Sequence, residues 1–151
     1  MPNIVIRAPE GAFDAEALGM LARAATAVAK FVEKGGDDPR HSALTWVAID
    51  EVKPGRLFAG GADPLAQLIP VVVLFHYPAG VLDDDSRAEA ARLFQEIVSE
   101  ARRPGDERPV ATSVIMTEVA DGAWGGSGRI WRLPDLAKAA GYKHLQHLVT
   151  A

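Results

Sequence analysis

The chain repeats itself at an offset of about 67 residues, and this duplication constrains its fold more than any other feature. The first unit opens on Pro2-Asn3-Ile4-Val5-Ile6-Arg7, a short run rich in β-branched residues. Pro9 and Gly11 break the run, and Asp14 stands where a helix N-cap belongs. Leu18, Leu21, Ala25, Val28 and Val32 then recur at spacings of three and four, one apolar face of a helix ended by Gly35-Gly36. A second strand is expected from Leu44 to Val52, with Leu44, Trp46 and Ala48 alternating against Thr45, Val47 and Ile49.

The second unit follows the same order. Pro70-Val71-Val72-Val73-Leu74-Phe75 reads as a buried strand, broken by Pro78 and Gly80. The acidic run Asp83-Asp84-Asp85-Ser86 opens a helix, where negative charge favours the N-terminus. Ala90, Leu93, Phe94, Ile97, Val98 and Ala101 form its apolar stripe, Arg102-Arg103-Pro104-Gly105 closes it, and Val110 to Val119 is the returning strand. The unit ends also correspond: Asp50-Glu51-Val52-Lys53-Pro54-Gly55 matches Thr117-Glu118-Val119-Ala120-Asp121-Gly122. Phe58 with Gly60-Gly61 follows the first, and Trp124 with Gly125, Gly126 and Gly128 the second.

A strand–helix–strand connection of this length implies parallel strands joined by a right-handed crossover. The expected fold is therefore α+β, built from α/β-type units. Two tandem βαβ units, 2–61 and 68–132, form a four-stranded sheet with two helices on one face. The glycine-rich unit ends are expected to be short hairpins. Residues 133–151 form a C-terminal extension, with a helix from Leu133 to Val149 that carries Pro134 in its first turn and is weakened by Gly141. A length of 151 residues suits one domain that buries a core without disulfides.

Composition removes several classes of function. The absence of cysteine excludes disulfides, thiolate nucleophiles and cysteine zinc sites. A net charge of −4 argues against a nucleic-acid partner, which needs a basic face. The apolar stretch Leu68 to Tyr77 is too short to span a bilayer, so no membrane partner is expected. The first residues lack a basic stretch ahead of an apolar core, and a cytoplasmic location is expected. Neither a metal nor a cofactor is called for.

Chemistry enters at Pro2. Initiator methionine is removed ahead of proline, which leaves a secondary amine at the head of an apolar strand. An α-amino group titrates near 7.7–8.0, and desolvation or a neighbouring cation moves it lower. Such a base suits proton transfer next to a carbonyl. The plainer reading is that Pro2 merely begins a strand, and a retained Met1 would make its nitrogen an amide.

An N-terminal proline, a βαβ unit and a strand ending in Thr117-Glu118-Val119-Ala120-Asp121-Gly122-Ala123-Trp124-Gly125-Gly126 together resemble the tautomerase superfamily, especially 4-oxalocrotonate tautomerase. The fused repeat is more similar to the double-unit members, the cis-3-chloroacrylic acid dehalogenases and malonate semialdehyde decarboxylases. Glu51-Val52-Lys53-Pro54-Gly55-Arg56-Leu57-Phe58-Ala59-Gly60-Gly61 resembles a mid-chain segment of those dehalogenases, and the likeness covers roughly residues 2–132. It implies a homotrimer, with Pro2 at the bottom of an apolar pocket as general base for keto–enol proton transfer on a small enol or 2-oxo acid. The alternatives are decarboxylase or hydratase-dehalogenase chemistry on a three-carbon acid, and a noncatalytic ligand-binding trimer if Met1 stays. Pro70 cannot share the role, because its nitrogen is an amide within the chain.

Carried over residue by residue, the family's aromatic wall falls on Trp124. The arginines of the single-unit tautomerases fall on Ala12 and near Trp46. The paired arginines of the dehalogenases fall at His76 and Ala79, and their water-activating acid and tyrosine at Gly126 and near Ile115. Dehalogenation is thereby disfavoured against simple proton transfer. A bidentate arginine is the usual clamp for a substrate carboxylate. Arg129, in Ser127-Gly128-Arg129, ranks first and Arg56 second, each against a solvated charge or a weak ion pair. Arg7 lies far along its strand from Pro2, and Arg132 follows Arg129 closely.

His76 is a candidate to orient substrate, against a strand-end histidine bonded to backbone, and Tyr77 is read in the same way. Asp37 and Asp38 resemble in position the acidic residue of the decarboxylases but read as turn residues. His144 and His147 lack a third metal ligand in the sequence and read as solvated. Gly125-Gly126-Ser127-Gly128 lacks the strand–loop–helix context of a phosphate loop and reads as a hairpin.

Overall fold

The computed structural model describes residues 1–149, so the last two residues of the expected 133–151 extension lie outside the described residues. Strand β1 (Asn3–Pro9) leads into α1 (Ala15–Val32), a short helix α2 (Pro39–Ser42) and β2 (Trp46–Val52). The second unit runs β3 (Ile69–Pro78), α3 (Asp84–Glu100) and β4 (Val110–Val119). A hairpin, β5 (Trp124–Gly126) and β6 (Arg129–Trp131), precedes α4 (Leu133–Ala140) and a 3-10 segment, Lys143–Leu148.

The four long strands form one mixed sheet in the order β2-β1-β3-β4. β1 pairs parallel with β2 and β3 parallel with β4, as the crossovers require, while β1 and β3 meet antiparallel at the centre. The central register sets Asn3 opposite His76 and Arg7 opposite Val72. Each unit thus repeats the other about an axis between the two middle strands.

Alternation sorts the faces. Ile4, Ile6 and Ala8 of β1 and Val71, Val73, Phe75 and Tyr77 of β3 are buried, in one core with Leu21, Ala25 and Val28 of α1 and Phe94 and Val98 of α3. Side chains between them, including Asn3, Val5, Leu74 and His76, belong to the other face. There Trp46 is 69% exposed and Ile115 51%. The helices begin where their acids stand: Asp14 accepts from the Ala17 N–H at 2.8 Å and Asp83 from the Ser86 N–H at 2.8 Å.

Four boundaries differ from expectation. β2 starts at Trp46 rather than Leu44, because the Leu44 and Thr45 N–H groups are used by turn bonds to the His41 and Ser42 carbonyls. β3 runs from Ile69 to Pro78, past the expected Pro70–Phe75 run as far as the expected break. The first unit's glycine-rich end makes a single bridge between Ala59 and Ala62 rather than a hairpin of two strands. The C-terminal helix is shorter than expected: α4 stops at Gly141, whose left-handed backbone (φ 66°) turns the chain into the 3-10 segment.

Candidate functional site

Pro2 stands immediately before β1, fully buried, and its carbonyl accepts from the Trp46 N–H at 3.1 Å. With Met1 in place the free amine belongs to Met1, and it donates to the Tyr142 hydroxyl at 2.6 Å. Glu33 lies close enough for its charge to act on both groups. It is the one charged residue of the described chain that is buried, at 2% exposure, and its Oε1 has no hydrogen-bond partner among the described residues.

Burial governs the chemistry of this trio. It pushes the Glu33 carboxyl up to about 7, against the opposing pull of the terminal amine and the Tyr142 hydroxyl. It also lowers the amine below its ordinary value, an effect that the nearby Glu33 charge partly offsets. Tyr142 is raised, first by burial and then by Glu33. Burial thus raises the acid and lowers the base of this trio toward each other.

Local structure explains the meeting. Glu33 caps the end of α1, with its N–H on the Ala29 carbonyl at 2.9 Å, so it continues the inward row Ala25–Ala29 at i+4. Tyr142 comes from the opposite end of the chain. The tail docks on the end of α1 through Gly36 N–H to the Ala140 carbonyl (3.1 Å) and Lys143 N–H to the Lys34 carbonyl (2.8 Å). Gly36 and Gly141 permit this approach, since a Cβ on either would strike the His41 ring.

The Met1 side chain extends from this trio to the hairpin, where a Cβ at Gly126 would lie 3.7 Å from the Met1 methyl. The Trp131 indole N–H donates to the Gly126 carbonyl at 3.1 Å, and Arg129 stacks on the Trp131 ring, its guanidinium carbon 4.0 Å from the centroid. At the Trp124-Gly125 end of the hairpin, a cleft of about 240 Å3 is lined by Asn3, His76, Val119, Ala123, Trp124 and Gly125. His76 and Trp124 are thus brought together beside Asn3, the neighbour of Pro2.

The remaining sequence candidates fall elsewhere. Arg56 lies in the exposed turn after β2, its N–H on the Lys53 carbonyl (3.2 Å), and it does not line the cleft. Arg7 pairs with Asp50 (3.2 Å), and Arg132 with Asp121 (3.3 Å) at the start of α4. Tyr77 is a core residue, its ring centroid 5.2 Å from that of Phe75. Asp37 pairs with Lys143 (3.2 Å), and Asp38 caps α2 while pairing with Arg40. His144 donates through Nε2 to the Val81 carbonyl (3.0 Å), and His147 lies in the 3-10 segment. Gly125-Gly126-Ser127-Gly128 is the tip of the β5–β6 hairpin.

Glu33 and Tyr142 escaped the sequence reading. The i+4 step from Ala29 was a visible signal for Glu33, but a charged residue beside Gly35-Gly36 reads as a solvated helix end. Nothing local marks Tyr142, whose partner lies 141 residues away.

No family model matches the sequence, and no curated protein matches it. Solved structures do match. A native fused 4-OT superposes with a TM-score of 0.66 at 17% identity, covering 92% of this chain and 98% of that one. A member of the cis-3-chloroacrylic acid dehalogenase family gives 0.67 at 12% identity, covering 99% and 92%. A fused 4-OT solved as a symmetric trimer gives 0.67 at 15%, covering 92% and 98%. The chain has the fused tautomerase-superfamily fold. In that tautomerase-like fold the two βαβ units supply the sheet, and Pro2 heads one of its two central strands.

Proposed function

We propose that Met1 is removed and that the Pro2 amine then moves a proton between the oxygen and carbon of a small enol or 2-oxo acid. The observation that carries this reading is the seat of Met1. Its amine donates to Tyr142 and feels the Glu33 charge, its side chain extends toward Gly126, and the adjoining Pro2 is buried. Excision of Met1 would free that volume for a substrate and turn the Pro2 amide into a secondary amine. Burial at this end of the chain lowers the Met1 amine, and similar surroundings would favour the neutral, basic form of a Pro2 amine.

Each proton is accounted for. The enol O–H bond breaks as Pro2 nitrogen takes the proton, and the electron pair forms the carbonyl. The new N–H bond then breaks as the proton passes to carbon, closing a C–H bond and restoring the amine. Arg129, held against Trp131 on the hairpin, is the proposed carboxylate partner, and Trp124 and His76 wall the adjoining cleft. Neither arginine lines that cleft, and Arg129 is preferred to Arg56 because it belongs to the hairpin whose Gly126 the Met1 side chain approaches. The trimeric assembly of the fused 4-OT structures supports a homotrimer here.

The test is turnover of an enol substrate such as phenylenolpyruvate. Pro2→Ala is expected to lower kcat/KM by on the order of 100-fold, the scale of general acid–base catalysis. An unchanged rate would overturn the reading.

A further inference from the structure

We propose that Glu33 and Tyr142 form a proton relay to the terminal amine, with the C-terminal tail supplying the central hydroxyl. The inference rests on the reading of Pro2 as the reactive amine. Three features of the geometry carry it. Glu33 is enclosed, and one of its oxygens has no partner among the described residues. The Tyr142 hydroxyl accepts from the amine at 2.6 Å, and the buried Glu33 is near enough for its charge to act on both. Tail and helix are tied together on both sides of the pair, through Gly36–Ala140 and Lys34–Lys143.

The relay balances within the site. An ammonium N–H proton passes to the Tyr142 oxygen while the Tyr142 O–H proton passes to Glu33. One N–H bond breaks, one carboxyl O–H bond forms, and tyrosine ends as it began. Net charge is unchanged, so the amine becomes a base without sending a proton to bulk water. Once Met1 is gone the proton donor is the Pro2 ammonium, displaced by one residue's backbone, about 3.5 Å. One water in the space Met1 occupied spans that step.

Of the neighbouring titratable groups the two lysines are paired elsewhere, while His41 Nδ1 is buried without a partner among the described residues. Lys34, at the end of α1, bonds Asp83 of the α3 N-terminus (3.2 Å), and Lys143 of the tail bonds Asp37 (3.2 Å). His41 of α2 packs between Gly36 and Gly141. Glu33 is the one charge acting on the amine, and removing it should lower the amine's pKa further.

The test titrates the terminal amine by 15N NMR and measures the pH–rate profile in wild type, Glu33→Gln, Tyr142→Phe and Pro2→Ala. Mature chains are verified by intact mass, and folding by circular dichroism. The expected result for Glu33→Gln and Tyr142→Phe is a displaced amine titration. Loss of kcat should be on the order of 10-fold or more, with KM little changed. If both variants keep the wild-type titration and profile while Pro2→Ala is inactive, the relay is overturned and the proline reading stands. If Pro2→Ala is fully active, the proline reading fails. If Met1 is retained, that reading fails too, and the Met1 amine's titration in the same variants still reports whether the coupling exists.

Discussion

A single carboxyl illustrates how burial shapes this site. Glu33 has an ordinary pKa of 4.5 in the unfolded chain and about 7 in the fold. The folded state therefore holds a proton that the unfolded state has released across that window. The stability contributed by protonated Glu33 is full below about 4.5 and is lost as pH rises to about 7. Glu33→Gln stays neutral throughout, so it should escape a loss of about 3 kcal/mol over this range. Urea midpoints of both proteins at the two ends of the window measure the difference, and an identical pH dependence would contradict the assignment. At this scale the sequence was partly legible. Pro2 and Trp124 announce themselves by position and type, whereas Glu33 acquires its character from residues that arrive from the far end of the chain.

At the scale of elements, propensity and capping explain most of what forms. Asp14 and Asp83 start the two long helices because their carboxylates satisfy N–H groups that the first turn leaves free. Strand β4 matches its expected limits, since alternation and its flanking turns fix both ends. The connections were harder to read. α2 competes with the start of β2 for backbone donors, and a four-residue helix has no periodicity to detect. The tail is decided by Gly141, which both ends α4 and lets the following Tyr142 approach α1. Gly141→Ala would force a Cβ toward His41 at a positive φ. We expect a destabilisation of about 1–3 kcal/mol, read as a lower Tm, together with loss of the Tyr142 contact. A variant as stable as wild type, with the tail still protected from hydrogen exchange, would show that the close approach is unimportant.

At the scale of the molecule, the duplicated sequence accounts for the sheet order and the antiparallel meeting of β1 and β3. What duplication does not encode is the divergence of the two ends: one makes a hairpin that reaches Met1, the other a bridged turn. Only the first residue of a chain can offer an amine, so fusion confines the proposed chemistry to one end. The sheet face away from the helices carries Trp46 at 69% exposure and Ile115 at 51%. Exposed large apolar groups on such a face suit association between copies. Native mass spectrometry should give three times the chain mass, and a monomer at micromolar concentration would contradict the proposed trimer.

The proposed chemistry needs a basic nitrogen at Pro2. It is tested most directly by 15N NMR of protein labelled at proline. The chain has ten prolines. If Met1 is excised and Pro2 is the base, one of these nitrogens titrates with pH as an amine while the others do not. A spectrum in which every proline nitrogen behaves as an amide, unchanged with pH, would contradict it.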